Sequence, residues 1–213
     1  MRCSPGARLF AALVALVTSA GLALQFDVSL ARTGSAFAAI WVLVRYFTII
    51  TNGIVAIVFA GVALDRSRFA LPSLLGGVTL AILLVGVVYN LLLRNLVELS
   101  GGAQLADLLL HQATPVLAAL FWLVCVPKGA LRVHDPFLWA LYPLAYFAYA
   151  MTRGRVDGVY AYPFIDVGHL GLARTTGNAA LIALGFIGAG MAMVWSDARL
   201  ARRKSRVPEP KQT

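Results

Sequence analysis

Charged residues are scarce in this sequence. They make up 13% of its 213 residues, about half of the quarter that is usual in a soluble domain. Hydrophobic residues reach 60%, and apolar stretches long enough to span a bilayer recur from end to end. This composition excludes an ordinary soluble domain. It predicts an all-α, polytopic transmembrane helical bundle, because helices satisfy their own backbone hydrogen bonds within lipid.

Cysteine and histidine are also few. The two cysteines do not suggest a disulfide framework, and no cluster has the spacing of metal ligands. A bis-histidine haem is not expected, because His111 is the only histidine within a predicted span. No phosphate-binding loop or redox motif occurs. We therefore expect neither a metal nor a cofactor.

Acidic residues number nine, against 18 Lys and Arg. Such an excess of basic residues often indicates nucleic-acid binding, but no basic groove or aromatic stacking platform accompanies it here. Six of the basic residues instead fall in the last 15 positions. We expect a cytoplasmic tail that contacts anionic lipid, and no nucleic-acid partner.

The apolar runs predict one bundle domain over residues 1–200, followed by a basic, disordered tail at 201–213. Six spans are predicted, at 8–26, 38–64, 73–93, 105–126, 137–152 and 173–195. The second is long, so either its first turns lie in the interface or the helix tilts. An alternative for residues 1–24 is a secretory signal peptide, although no good cleavage site follows its apolar centre.

The positions of Lys and Arg predict the orientation. With six spans, the two termini and the loops after spans 2 and 4 share one side of the membrane. Most of the basic residues lie on that side. Since an excess of Lys and Arg marks the cytoplasmic side, both termini are predicted to be cytoplasmic.

Polar residues of three spans converge near the opposite, outer end. The stretch "RYFTIITNGI" at 45–54 is predicted to place Arg45, Thr48 and Asn52 on one helical face, with Thr51 beside them. Ionisable residues within a span usually face a bundle interior or a wet cavity. The other polar residues at this end are Tyr89, Asn90 and Arg94 at the end of span 3, and Asp107, His111 and Thr114 in span 4.

This set of residues suits nucleophilic acyl transfer. A threonine hydroxyl such as that of Thr48 needs a base, and the imidazole of His111 is the candidate for that role. Asp107 lies one helical turn before His111 and is suited to orient its ring. An oxyanion would require donors, for which the candidates are Asn52, Asn90 and Arg94. The alternative is structural: a helix-packing threonine and a satisfied interhelical histidine.

The loop between spans 5 and 6 is the most polar one and contains two further candidates. Arg153, with Arg155, would attract a fatty-acid carboxylate, or the two are ordinary loop charges. Tyr162, in the sequence "YPF", is predicted either to cover the cavity from the outer side or to belong to an interfacial aromatic belt.

Three short motifs resemble a known family, the androgen-induced-gene and androgen-dependent TFPI-regulating proteins with their bacterial relatives. They are "RYFT" at 45–48, "HQATPV" at 111–116 and "GVYAYPF" at 158–164. Their order, their spacing and the six-span layout also match, so the resemblance covers most of the chain.

This resemblance implies a multi-pass threonine hydrolase that cleaves fatty acid esters of hydroxy fatty acids. By motif position, Thr48 corresponds to the threonine and His111 to the histidine. Asp107 stands where the family motif has an amide, so an Asp–His pair is not implied. The resemblance also implies a bacterial relative, for which we expect the inner cell membrane.

The leading hypothesis is therefore an integral membrane lipid ester hydrolase, with a membrane lipid or fatty-acyl ester as its substrate. One alternative is a non-enzymatic protein that binds or transports a lipid or small molecule. Another is a scaffold for partners. Span 6 is rich in Gly and Ala, so it is predicted to pack closely within the bundle or in a homo-oligomer.

Overall fold

The chain folds into a helical bundle in the computed structural model, which describes residues 3–94 and 98–204. No strand occurs among these residues, so the predicted all-α class is confirmed. Short 3-10 turns lie at Ser67–Phe69 and Pro163–Ile165. The helices are α1 Pro5–Thr33, α2 Ala36–Leu43, α3 Phe47–Ala63, α4 Pro72–Leu93, α5 Gly101–Cys125, α6 Asp135–Asp157 and α7 Val167–Lys204.

Four helices are long and apolar enough to cross a membrane, namely α1, α4, α5 and α7. The pair α2 and α3 adds a fifth candidate if it counts as one span, although the two helices meet at 98°. The predicted span at 137–152 coincides with α6, which is not among these candidates. Its tyrosines and terminal charges keep α6 less apolar than the others. Several long apolar helices thus indicate an integral membrane protein.

The helices extend beyond the predicted spans, because hydropathy detects only the apolar stretch along a helix and not its polar ends. α1 begins where the Ser4 hydroxyl accepts a hydrogen bond from the Ala7 N–H at 3.2 Å. It ends at Gly34, whose left-handed φ of 70° terminates the helix.

α7 is likewise longer than the predicted 173–195. It begins at Val167, contains a non-helical residue at Gly171 and continues to Lys204. The predicted disordered tail is therefore helical over 201–204. Its remaining part, 205–213, lies outside the described residues.

The core of the bundle lies toward the end that holds the N-terminus. Small side chains at Ala7 and Ala11 bring α1 close to α3. Phe121 of α5 packs edge-to-face against Phe10 and Phe59, with ring centroids 5.6 and 5.0 Å apart. Because lipid tails are as apolar as these side chains, close packing and dispersion stabilise this half.

Hydrogen bonds across the bundle show that helices α1 and α3–α7 alternate in direction. At one end the Arg8 Nε donates to the Ala63 carbonyl at 3.1 Å. At the other end Arg45 forms an ion pair with Asp157 at the end of α6, with a distance of 3.0 Å. This second end contains the start of α3, the end of α4 and the start of α5. We call it the polar end, since these segments contain the polar residues of the spans.

Candidate active site at the polar end of the bundle

A sharp break between α2 and α3 forms one wall of the site. Tyr46 is extended, with φ −93° and ψ 131°, and separates the two helices. The carbonyl of Arg45 accepts a hydrogen bond from the Tyr146 hydroxyl at 2.8 Å, and that of Val44 accepts one from Tyr149 at 3.1 Å. These tyrosines of α6 thus stabilise a break that would otherwise expose carbonyls to lipid.

The break changes the predicted helix at 38–64. The expectation of one continuous helix with Arg45, Thr48 and Asn52 on one face was wrong, because Arg45 precedes α3. Thr48 is instead the second residue of α3, where a backbone N–H has no partner within the helix. The helix dipole also places partial positive charge there, which favours a developing anion.

His111 of α5 lies against Thr48. Its Nε2 atom is 3.3 Å from Thr48 Oγ1, and its Nδ1 atom is 2.9 Å from Asp107 Oδ1. A ring that is protonated at Nδ1 satisfies both contacts, since Nδ1 then donates to Asp107 and Nε2 accepts from Thr48. This is the arrangement of a nucleophile, a base and an orienting carboxylate.

Both helices that supply this network change to a π conformation at the site. His111 lies in the π segment Leu109–Ala113, and Tyr89 begins the π segment Tyr89–Leu93. Pro115 has no N–H to bond the His111 carbonyl four residues earlier, which favours a change in the helical pattern there. Single π turns of this kind occur frequently at functional sites.

Tyr89 completes the network, although the sequence assigned it no role. Its hydroxyl donates to Asp107 Oδ2 at 2.7 Å, and its ring stacks on His111 with centroids 3.9 Å apart at 14°. Asp107 therefore receives one donor on each carboxylate oxygen. The position of Tyr89 near the end of span 3 was the only sequence signal, and it did not reveal these contacts.

Tyr162 covers Thr48 from the loop between α6 and α7. The Thr48 N–H donates to the Tyr162 hydroxyl at 3.4 Å. The Tyr162 ring stacks on the Phe164 ring with centroids 5.1 Å apart. The Phe164 carbonyl accepts a hydrogen bond from Asn178 of α7 at 2.8 Å. Burial raises the pKa of Tyr162 above its ordinary value, so the phenol stays protonated at neutral pH.

An apolar cavity adjoins Thr48 and Tyr162. It encloses about 720 Å³ of empty space, including the part that opens to the surroundings. It lies between the start of α3, the helices α4, α6 and α7, and the loop before α7. The lining residues are Phe47, Thr48, Leu84, Val85, Val88, Leu93, Pro143, Leu144, Tyr146, Phe147, Tyr162, Phe164, Ile165, Ala179, Ile182 and Ala183.

Asn52 supports the site from within the core. It is fully buried, and its side-chain N–H groups donate to the carbonyl of Thr48 at 2.9 Å and to that of Leu110 at 3.4 Å. The amide thereby ties the start of α3 to α5 beside His111. Thr51, also expected nearby, instead bonds the Tyr142 hydroxyl at 2.8 Å.

The hydrogen bonds of Asn90 and Arg94 lead away from Thr48 and His111. The Asn90 amide donates to the Gly86 carbonyl at 2.7 Å. Its oxygen accepts from Gln112 at 2.8 Å and from Arg94 at 3.5 Å. The structure thus groups these residues on a neighbouring surface of α4 and α5.

Arg153 is also held elsewhere. It is buried, its Nε donates to Asp157 at 3.0 Å, and another N–H donates to Tyr149 at 2.7 Å. It also donates to the Trp41 carbonyl and lies 4.2 Å above the Trp41 ring. The guanidinium therefore joins α6 to α2, and the structure does not bring it to the Thr48–His111 pair.

The fold and site together define an all-helical membrane protein with a Thr–His–Asp constellation beside an apolar cavity. Comparisons with protein-family models, with curated proteins and with solved structures find no match to this chain.

Proposed function

We propose that this protein is a membrane-embedded hydrolase of long-chain fatty acid esters, in which Thr48 acts as the nucleophile and His111 as the general base. The observation that supports this most directly is the 3.3 Å contact between Thr48 Oγ1 and His111 Nε2. The adjoining cavity is almost entirely apolar in its lining. It therefore suits an acyl chain that enters from the bilayer.

In the proposed reaction, Thr48 Oγ1 attacks the ester carbonyl carbon while its proton passes to His111 Nε2. Asp107 stabilises the resulting imidazolium through Nδ1. The intermediate then expels the alcohol, which takes the proton from His111, and leaves an acyl-threonine. Water attacks this acyl group, giving its proton to His111, and the carboxylic acid departs as Thr48 recovers a proton.

The proposed fine topology has six crossings by α1, α3, α4, α5, α6 and α7, with α2 in the outer interface and both termini in the cytoplasm. The contacts between polar tyrosines of α6 and the α2–α3 break support a crossing by α6 despite its polarity. The proposed location is a bacterial inner membrane, and the proposed relatives are the family that the three motifs resemble.

Single-cysteine variants test this topology. In a background that lacks Cys3 and Cys125, a membrane-impermeant maleimide applied to intact cells should label the variant Arg155→Cys. It should not label the variant Arg66→Cys. The opposite pattern would reverse the orientation. Labelling at both positions only after lysis would contradict an outer polar end.

The hydrolase proposal is tested with a fluorophosphonate probe on the purified protein in detergent. Wild type should be labelled and should release the acid from a long-chain ester. Thr48→Ala and His111→Ala should each lose both properties while keeping the helical circular dichroism of the wild type. Labelling that persists in Thr48→Ala would refute the assignment of the nucleophile.

A non-enzymatic lipid-binding or transport protein is the second candidate, favoured by the apolar lining of the cavity. This function predicts that a photoreactive fatty ester crosslinks equally to wild type, Thr48→Ala and His111→Ala, with no acid formed. Product formation that requires both residues would exclude it.

A further inference from the structure

An oxyanion forms at the ester carbonyl when a nucleophile adds, and the site must supply a donor about 2.7–3.1 Å from it. That donor has to face the cavity beside Thr48. Asn52 cannot serve, since its N–H groups are directed to the Thr48 and Leu110 carbonyls. Asn90 and Arg94 do not line the cavity.

Of the described residues, three with polar side-chain groups line the cavity: Thr48, Tyr146 and Tyr162. Thr48 is the proposed nucleophile. The Tyr146 hydroxyl donates its single proton to the Arg45 carbonyl at 2.8 Å, where it stabilises the break between α2 and α3. Among the side chains that the structure describes, only the Tyr162 hydroxyl then remains as a donor toward a reacting carbonyl in this cavity.

We infer that Tyr162 is a catalytic residue whose hydroxyl donates a hydrogen bond to the oxyanion. The Thr48 backbone N–H donates a second hydrogen bond to the same oxygen. This inference rests on the proposed hydrolase function. The hydroxyl already lies beside the Thr48 N–H, at 3.4 Å. That distance exceeds the usual 2.7–3.2 Å, so the N–H can exchange this weak contact for a stronger one to an oxyanion.

Tyr162 is held in place before any ligand binds. Its ring stacks on Phe164 at 5.1 Å and meets Tyr46 edge-to-face at 5.9 Å. Asn178 anchors the loop by donating to the Phe164 carbonyl. A donor fixed in this way requires little reorganisation during reaction, and its buried phenol retains its proton at neutral pH.

In the first step, Thr48 Oγ1 forms a bond to the carbonyl carbon and its proton passes to His111 Nε2. The carbonyl π electrons move onto oxygen, which accepts hydrogen bonds from the Tyr162 O–H and the Thr48 N–H. Tyr162 keeps its proton throughout. As the carbonyl re-forms, the bond to the alcohol oxygen breaks and the alcohol takes the proton from His111.

The experiment compares Tyr162→Phe with Tyr160→Phe, which removes the same atom from a tyrosine in the same loop that does not line the cavity. The substrate is p-nitrophenyl decanoate, and a trifluoromethyl ketone of the same chain length mimics the tetrahedral intermediate. Tyr162→Phe should lower kcat by about a hundredfold with little change in KM. It should also weaken the binding of the ketone by a similar factor, whereas Tyr160→Phe should change neither kcat nor the affinity for the ketone.

A second variant keeps the hydroxyl, and so it remains informative if Tyr162→Phe fails to fold. Fluorotyrosine at position 162 ionises at lower pH, and a phenolate cannot donate. The alkaline limb of the pH–kcat profile should therefore move to lower pH.

The outcomes separate the two proposals. Turnover by wild type with an unchanged kcat and ketone affinity in Tyr162→Phe, or an unmoved alkaline limb with fluorotyrosine, would overturn the role of Tyr162 alone. Absence of both turnover and fluorophosphonate labelling in folded wild type would overturn the hydrolase function and this inference with it.

Discussion

His111 Nε2 lies 3.3 Å from Thr48 Oγ1, although the two residues are 63 positions apart in the sequence. Each belongs to an irregular part of its helix. Thr48 follows the break before α3, and His111 lies in a π segment of α5. The contact therefore depends on two local departures from regular α-helix. Tyrosine hydroxyls of α6 stabilise the break before α3, and Pro115 accompanies the π segment of α5.

Replacement of Asp107 by Asn tests whether the carboxylate sets the tautomer of His111. An amide N–H directed at Nδ1 would favour the ring protonated at Nε2, which cannot accept the Thr48 proton. We expect kcat for ester hydrolysis to fall by about four orders of magnitude, as in the Ser–His–Asp template. The control is Asp166→Asn in the loop before α7, which should retain activity. Activity within tenfold of wild type in Asp107→Asn would contradict the orienting role.

Tyr89 is predicted to act through Asp107 and not on the substrate. Tyr89→Phe removes the hydrogen bond to Asp107 and keeps the stacking on His111. We expect kcat to fall about tenfold, which corresponds to a loss of about 1.4 kcal/mol in the transition state. KM should not change.

A second variant at this position, Tyr89→Leu, separates the two contacts of the tyrosine. It removes the stacking as well and should reduce activity further. Equal activity of Tyr89→Phe and wild type would show that the hydrogen bond from Tyr89 to Asp107 does not contribute to activity.

Gly86 allows α4 to approach α5 at the site. A Cβ atom at position 86 would lie 3.2 Å from Pro115 Cγ and 3.3 Å from the His111 carbonyl oxygen. Gly86→Ala should therefore separate the helices slightly, lower the free energy of unfolding by about 1–3 kcal/mol and reduce activity. Gly53→Ala is the matched control, since a Cβ at position 53 of α3 would meet nothing within 4 Å. Equal melting temperatures for the two variants would contradict the close approach.

Lys128 is predicted to stabilise the end of α5 at the opposite side of the bundle. Its ammonium donates to the Trp122 carbonyl and to the Val126 carbonyl, the latter at 2.8 Å, and lies 4.0 Å from the Trp122 ring centroid. Lys128→Met should lower the free energy of unfolding by about 1–2 kcal/mol, because a cation is favourable at a helix C-terminus and over an indole face.

The matched control for Lys128 is Arg132→Met, which removes an exposed positive charge nearby and should stay within about 0.5 kcal/mol of wild type. Thermal unfolding in detergent, followed by circular dichroism, measures both variants. Ester hydrolysis should persist in each, since the site lies at the other end.

The helical class and the polar end of the bundle were predictable because both depend on local sequence. Apolar runs report the solvent that surrounds a helix, and the spacing of Asp107 and His111 predicts their contact on one face. The structure shows that contact at 2.9 Å. The expected six spans are confirmed only in part, because four helices, or five with the bent pair α2 and α3, are long and apolar enough to cross a membrane, and the tyrosine-rich α6 is not among them.

The break before α3 was not predictable from hydropathy, because its carbonyls are satisfied by hydroxyls of Tyr146 and Tyr149 about a hundred residues away. The same limit applies to Arg153. As a loop charge it was a candidate for binding a carboxylate, whereas the folded chain pairs it with Asp157, Tyr149 and Trp41.

The sequence by itself determined an all-helical membrane protein with Thr48, Asp107 and His111 near one end, because hydropathy and helical spacing act over short distances. Tertiary structure alone decided that Thr48 lies in the first turn of a helix, that Tyr89 supports Asp107 and that Tyr162 covers Thr48. Each of these depends on a hydrogen bond between helices or loops that are distant in sequence. Such bonds form only where packing brings an otherwise unsatisfied polar group within about 3 Å of a partner.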